Sequence, residues 1–259
     1  MPRPAEVSPR PPGDYAAALA TKEPVLIVGG QAVNLWALQY LDQTRDLAPF
    51  TSRDADILGD AETLRELAKL AGEKPQLFPL RPPTNEVGVV IAKDATGQPM
   101  LIEVLRHVHG AKNQELRDSA YAIALGSNQV TVKVPGPITL LRAKLANVTD
   151  LSQTGRQDAR HVAILARIMP AYLGDLEKSA RAGKLDERKL IGFLEQLLTV
   201  LTLIKYQRTL ADLAIDPRSM FAALKPEELP RLQAFLEKRL PRALPKPAKA
   251  GLPQKRGET

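Results

Sequence analysis

The chain has 259 residues and no cysteine, which excludes a disulfide framework, a thiolate zinc site and a cysteine nucleophile. Its formal net charge is +7, and six of these units fall between Lys238 and Thr259, where seven Lys or Arg residues stand against one Glu. A basic segment of this kind can bind nucleic acid or serve solubility, so the charge alone does not identify a function.

The two ends of the chain are predicted to be disordered. Residues 1–13 include five prolines, and residues 241–259 are rich in Pro and Lys. No segment has the apolar core of a signal peptide or the length of a membrane span, so a cytoplasmic protein is expected, with no membrane partner. Because Pro135-Gly136-Pro137 is the strongest break, we predict a catalytic domain over 14–135 and a helical domain over 136–240.

The first half of the chain alternates between helix and strand patterns. In order, these are a helix from Asp14, a strand over 25–28, a helix with Val33, Trp36, Ala37, Tyr40 and Leu41 on its inner face, a strand holding Asp54 and Asp56, a helix capped by Asp60 and ended by Gly72, and strands over 87–92, 100–107 and 130–134. Residues 73–86 are predicted to be irregular.

Helical patterns fill the second half. They comprise ITLLRAKLANV at 138–148, RQDARHVAILARIM at 156–169, a long helix capped by Asp186 and continuing through Ile204, and a last helix over 226–240.

The stretch from Val25 to Leu58 carries the main candidate chemistry. The apolar run of the first strand ends in Gly29-Gly30 and passes directly into a helix. Glycines at such a junction let the backbone approach a ligand closely, while free N–H groups and the helix dipole favour an anion. The alternative is that Gly29-Gly30 forms only a tight turn.

Three acidic residues suggest a metal site. Asp54 and Asp56 are two apart on a strand and therefore face the same side, unless they belong to a solvated loop. Like charges held together repel unless a cation lies between them, and ligation by oxygen alone suits Mg²⁺. Glu103 sits within an apolar strand, where a buried carboxylate needs a metal or a cation to face it. The alternative is an edge strand on which Glu103 points to solvent.

Other chemistries receive little support. His107, His109 and His161 do not form a convincing zinc ligand set. Nucleophilic Ser–His–Asp chemistry lacks a G-x-S-x-G elbow.

The order of these features resembles the nucleotidyltransferase superfamily, which has the polymerase-beta-like fold. Within it the chain resembles the AbiEii/MenT branch of bacterial toxin-type transferases. The matching stretches beyond the sheet are LLRAKLANV, which contains Lys144, and GRQDARH, which contains Arg156 and Asp158. The resemblance implies an α/β (α+β) fold, namely a nucleotidyltransferase-type mixed sheet with flanking helices, followed by an α-helical bundle.

The resemblance also implies roles for individual residues. The nucleotide would be bound by Gly29, Gly30, Gln31, Arg53 and Lys144, two Mg²⁺ ions by Asp54, Asp56 and Glu103, and Lys144 would be oriented by Asp158. Lys144 also has a plainer interpretation, as a solvated charge on an amphipathic helix. The chain departs from the family pattern at Gln31, where Ser or Thr is common, at Gln157, where Lys is common, and at His161, where a second acid is common. The 23 residues between Gly30 and Asp54 are also more than the usual interval.

The function implied by the resemblance is Mg²⁺-dependent transfer of a nucleoside monophosphate from an NTP to an acceptor hydroxyl. RNA is the leading acceptor, at the 3′ end of tRNA, in a toxin-like enzyme that has an antitoxin protein as a partner. Two alternatives stay open. One is transfer to a protein or to an aminoglycoside-like small molecule, and the other is a non-catalytic nucleotide-binding protein of the same fold.

Overall fold

The computed structural model describes residues 7–79, 81, 84–127 and 129–244. Seven strands form one mixed sheet in the order β3-β4-β5-β2-β1-β7-β6. Strands β2 and β5 pair in parallel, as do β1 and β7, and the other neighbours are antiparallel. The strands are β1 (Leu26–Val28), β2 (Asp54–Leu58), β3 (Gln76–Leu77), β4 (Glu86–Lys93), β5 (Pro99–Leu105), β6 (Tyr121–Leu125) and β7 (Val130–Val134).

Helices flank the sheet and make up most of the chain beyond it. They are α1 (Gly29–Gln39), α2 (Leu41–Thr44), α3 (Ala61–Ala71), α4 (Asn113–Asp118), α5 (Pro137–Asp150), α6 (Asp158–Arg181), α7 (Glu187–Thr202), α8 (Ile204–Asp212), α9 (Pro230–Ala234) and α10 (Leu240–Ala243). The predicted fold class, a mixed sheet with flanking helices followed by further helices, is confirmed. Among the described helices, none is both long and apolar enough to cross a bilayer.

Three predicted helix ends are confirmed, and each follows from cap or turn chemistry. Asp60 accepts hydrogen bonds from the backbone N–H groups of Glu62 and Thr63, and Gly72 ends α3 in the left-handed conformation. Asp186 caps α7 in the same way, through the N–H of Arg188.

Other predictions were wrong, each for a local reason. The segment from Asp14 forms two 3₁₀ turns instead of an α-helix. Tyr40 has a non-helical backbone, so α1 stops before it and Leu41 begins a new helix with an exposed side chain. The long helix predicted through Ile204 breaks at Leu203, whose extended backbone separates α7 from α8.

The remaining differences lie at short or irregular elements. Strand β6 and helix α4 were not predicted, and β3 falls within the segment predicted to be irregular. The helix predicted over 226–240 starts at Pro230 and contains a π-helical turn over Phe235–Arg239.

The two halves of the chain share one apolar core. A continuous cluster of buried side chains includes Ile27 and Val132 of the sheet together with Leu165 and Leu197 of the later helices. The domain division at Pro135–Pro137 stays a prediction.

The structure also describes part of each chain end that was predicted to be disordered. Arg10, within the arm predicted to be disordered, pairs with Ser52 through two backbone hydrogen bonds of 2.8 and 3.0 Å. Leu244, within the predicted tail, is buried. Residues 1–6 and 245–259 lie outside the described residues.

Candidate active site

Three carboxylates meet on one face of the sheet. Asp56 is the register partner of Glu103 across β2 and β5, and Asp54 is two residues earlier on β2. One carboxylate oxygen of each residue lies within 4.8 Å of the others. Strand β5 lies between β4 and β2, and Glu103 is only 4% exposed, which excludes the interpretation of Glu103 as an edge residue facing solvent.

The donor set fits a divalent cation of the Mg²⁺ type. All three donors are carboxylate oxygens, which such cations prefer, and no nitrogen or sulfur ligand competes within the group. Across the described parts of the chain, this is the only group of at least three side chains that could hold a metal ion. Of the histidines, His109 instead contacts Asp150, with 3.1 Å between His109 Nε2 and Asp150 Oδ2.

The glycines bring the start of α1 against this group. Gly29 has φ +65°, a conformation that favours glycine, and a Cβ atom there would collide with Asp56 Oδ2. Strand β1 ends beside Asp56, since Val28, the last residue of β1, is the register partner of Asp56. The N-cap residue of α1 is Val28, whose side chain provides no cap for the first N–H groups of the helix. This junction can therefore receive an anion next to the carboxylates.

Ser52 is a member of the site that the sequence analysis missed. Its hydroxyl donates a 2.9 Å hydrogen bond to Asp54 Oδ1, which orients that carboxylate. A Cβ atom on Gly30 would lie 2.9 Å from Ser52 Oγ, so the serine packs against the start of α1. The spacing could have revealed it, because Ser52 precedes Asp54 by two residues, the interval that places side chains on one side of an extended chain.

Lys144 and Asp158 form a buried ion pair, with 2.9 Å between Lys144 Nζ and Asp158 Oδ1. Asp158 also accepts hydrogen bonds from Asn147 Nδ2 at 3.2 Å and from Arg156 Nε at 2.6 Å. Burial alone would raise the pKa of Asp158, but the Lys144 charge and these hydrogen bonds outweigh it and hold the pKa at about 2. The interpretation of Lys144 as a solvated surface charge is therefore wrong.

His161 lies between the glycines and this ion pair. A Cβ atom on Gly30 would be 3.3 Å from His161 Cε1, which places the ring against the start of α1. Neither ring nitrogen has a hydrogen-bond partner among the described residues. Burial, followed by the charge of Lys144, lowers the pKa of His161 to about 3, so the ring is neutral at physiological pH. The sequence marked His161 only as a departure from the family pattern.

Two residues predicted to bind nucleotide have other surroundings. Gln31 is buried, its Nε2 donates to the Arg10 carbonyl at 3.0 Å, and its Oε1 accepts from Asn34 Nδ2 at 3.1 Å. Its side chain is therefore engaged within the protein, and only its backbone N–H belongs to the first turn of α1. Arg53 is exposed beside Asp54. The structure thus groups the three acids with Gly29 and Gly30 and groups Lys144 with Asp158, while the catalytic and binding roles of all these residues stay predictions.

Comparisons with known proteins give one structural similarity. No model of a known protein family and no curated protein sequence matches the chain. The crystal structure of an antigenic nucleotidyltransferase-like protein from Paracoccidioides brasiliensis is similar to 62% of this chain and 79% of its own, with 18% identity and a TM-score of 0.39. The match is a similarity of arrangement over part of the chain.

Proposed function

We propose that the protein is a metal-dependent nucleotidyltransferase that moves a nucleoside monophosphate from an NTP to an acceptor hydroxyl. The observation that carries this proposal is the convergence of Asp54, Asp56 and Glu103 within 4.8 Å at the junction where β1 passes through Gly29 into α1. A site for divalent cations and a site for an anion are thereby adjacent, which is what transfer of a phosphate-borne group requires.

In the proposed reaction, separate groups of the chain would bind the metal, bind the triphosphate and accept the proton. Asp54, Asp56 and Glu103 would hold two Mg²⁺ ions, whose charge, when bound, stabilises the attacking and the leaving oxygen. The N–H groups after Gly29 and Gly30 would bind the triphosphate. The acceptor hydroxyl oxygen would form a bond to the α-phosphorus while the bond to pyrophosphate breaks. Glu103 would take the hydroxyl proton.

Lys144 would supply positive charge for the leaving pyrophosphate. Its ion pair with Asp158 fixes the amine before any nucleotide binds. Arg156 also contacts Asp158, and the side chain of Arg156 is 42% exposed. Arg156 is therefore a second cation, at the solvent-exposed side of the Lys144–Asp158 pair. The proposed role of Asp158 is to position both cations.

For the acceptor, the proposal is RNA, with the 3′ end of tRNA first. Its support is the motif order shared with the AbiEii/MenT branch, the exposed Arg53 beside Asp54, and the basic composition beyond Lys238. A toxin-like enzyme of this branch would act in the cytoplasm and have an antitoxin protein as its partner.

The proposal is tested by incubating the protein with each α-labelled NTP, Mg²⁺ and either total tRNA or a cell extract. We expect label in tRNA with one preferred nucleotide, and no label with the variant Asp56→Asn or with EDTA. Asp42→Asn serves as the matched control, because Asp42 is exposed on α2.

Other outcomes decide between the alternatives. Label in a protein or in a small molecule would replace RNA as the acceptor. Metal-dependent NTP binding without any transfer would indicate a binding protein, and neither binding nor transfer would contradict the proposed function.

A further inference from the structure

A cavity of about 660 Å³ lies at the end of β1 and β2 that points away from the carboxylates. Leu26 and Leu58, which are register partners, contribute to its lining. Each is two residues from the pair formed by Val28 and Asp56, so the cavity adjoins the sheet face that carries the acids. Leu26, Val28, Leu58 and Leu116 form an apolar cluster. Leu26 and Leu58 line the cavity, whereas Val28 is the register partner of Asp56.

Three basic side chains converge on this cavity from different elements. Arg106 follows β5, Arg117 comes from α4, and Lys133 comes from β7. None of the three forms an ion pair with a carboxylate of the described residues. Arg106 is half-buried, and Arg117 and Lys133 are exposed. A phosphate group can therefore contact them without displacing a carboxylate of the described residues.

Acidic residues also line the cavity, but two of the three are engaged by backbone donors. Asp60 accepts from the N–H groups of Glu62 and Thr63, both at 3.0 Å, and Glu66 accepts from the Lys22 N–H at 3.1 Å. These hydrogen bonds lower the pKa of Asp60, with that from Thr63 contributing most. Two of the acids thus also hold the backbone in place, and Glu23 is the third, so that three acidic and three basic side chains line the cavity.

The size and chemistry of the cavity together define a class of ligand. Small-molecule sites usually span about 300–1,000 Å³. This cavity falls within that range and combines the apolar side chains of Val25, Leu26 and Leu58 with charged groups. Arg and Lys are the usual partners of phosphate groups. We propose that this cavity binds a small phosphorylated molecule of nucleotide size, separately from the carboxylate site. This inference does not depend on the proposed transferase activity.

The test is isothermal titration calorimetry of the full chain in EDTA, with AMP, inorganic phosphate and adenosine as probes. We expect AMP to bind at least tenfold more tightly than adenosine, because the phosphate contacts the three cations. The double variant Arg117→Gln/Lys133→Gln should weaken AMP binding at least tenfold. Both side chains are exposed, so circular dichroism should show an unchanged fold.

Two control variants locate the site. Lys69→Gln removes one positive charge from the exposed face of α3 outside the cavity, and it should leave AMP binding unchanged. Asp56→Asn should also leave it unchanged. A changed AMP affinity in Asp56→Asn would place AMP at the carboxylates and overturn the proposal.

Three further results would also overturn it. They are the absence of AMP binding by the wild-type chain, equal affinities for AMP and adenosine, and an unaffected double variant. If the binding of an oligoribonucleotide, but not that of AMP, depends on Arg117 and Lys133, the surface binds RNA and the small-molecule proposal fails. The transfer assay with labelled NTPs is independent of all these measurements.

Discussion

The protein contains two clusters of charged side chains: one holds charges of a single sign, and the other holds charges of both signs. At the end of β1, Asp54, Asp56 and Glu103 bring like charges within 4.8 Å. In the helices, Lys144 and Asp158 bring opposite charges together in a buried, hydrogen-bonded pair. In the first arrangement charges of one sign repel each other, while the second stabilises the fold only as long as both partners are present. Stability and activity should therefore respond differently to mutation in the two clusters.

The largest effect on stability is expected in the balanced cluster. Asp158→Ala leaves Lys144 buried without its carboxylate, which costs about 3–5 kcal/mol in comparable cases. Urea unfolding followed by circular dichroism measures this loss. Asp46→Ala is the control, since Asp46 pairs with Arg167 at the surface, and its loss should stay below about 1 kcal/mol.

The same pair can be tested by a double-mutant cycle. Lys144→Ala combined with Asp158→Ala should lose less stability, and less transfer activity, than the sum of the single changes. Strictly additive losses would mean that Lys144 and Asp158 do not act as a unit.

The acidic cluster should respond in activity. Asp56→Asn replaces one of the three carboxylates that would hold the metal with a neutral amide, which binds Mg²⁺ poorly. Transfer should fall by about 10²–10³-fold or more, the usual effect of losing one preorganised electrostatic group. A variant that loses stability while it keeps transfer activity would remove Asp56 from the metal site.

These two clusters also show which parts of the site could be predicted from the sequence. The spacing of Asp54 and Asp56 and the strand–glycine–helix order predicted the carboxylate group, because both are local rules of backbone geometry. The engagement of Gln31 with Arg10 and Asn34 could not be predicted, since Arg10 is distant in sequence. The same holds for the contact of His161 with the start of α1.

The fold shows the same limit. Long periodic segments such as α5 and α6 were predicted, because their apolar faces repeat over several turns. Helix α4 has only six residues and one buried side chain, Leu116, so it carries no periodic signal. In β6 three of the five side chains are partly or fully buried, too short a pattern to distinguish from a loop.

A smaller effect is expected from His161, which links the two clusters. The folded protein keeps this ring neutral down to a pKa of about 3, whereas the ordinary pKa is 6.5. Below pH 6.5 the unfolded chain therefore binds more protons than the folded one, so stability falls as the pH falls. Between pH 8 and pH 5 this contribution amounts to about 2 kcal/mol.

The free energy of unfolding of His161→Gln, measured from unfolding curves between pH 8 and pH 5, should lack this pH-dependent contribution. His107→Gln makes the same chemical change at an exposed position and should keep it. Identical pH profiles for His161→Gln and the wild type would contradict the burial of the ring.

The smallest effect is expected from Arg156→Gln. Arg156 contacts Asp158, but its side chain is 42% exposed, and Asp158 keeps Lys144 and Asn147 as partners. The free energy of unfolding should fall by less than about 1 kcal/mol. A loss as large as that of Asp158→Ala would show that the guanidinium, and not Lys144, balances the buried carboxylate.

Trp36 gives the molecule an intrinsic fluorophore at an informative position. It is the only tryptophan in the sequence, it lies on α1 behind the glycine junction, and its indole N–H donates a 2.8 Å hydrogen bond to the carbonyl of Pro135, just before α5. Tyr121 and Tyr172 stack edge-on against the ring, at centroid distances of 5.3 and 5.8 Å. Emission excited at the red edge of the absorption band will therefore come from this one place, where α1 meets the start of α5, the helix that carries Lys144. Stopped-flow fluorescence can follow that junction in real time without any attached label.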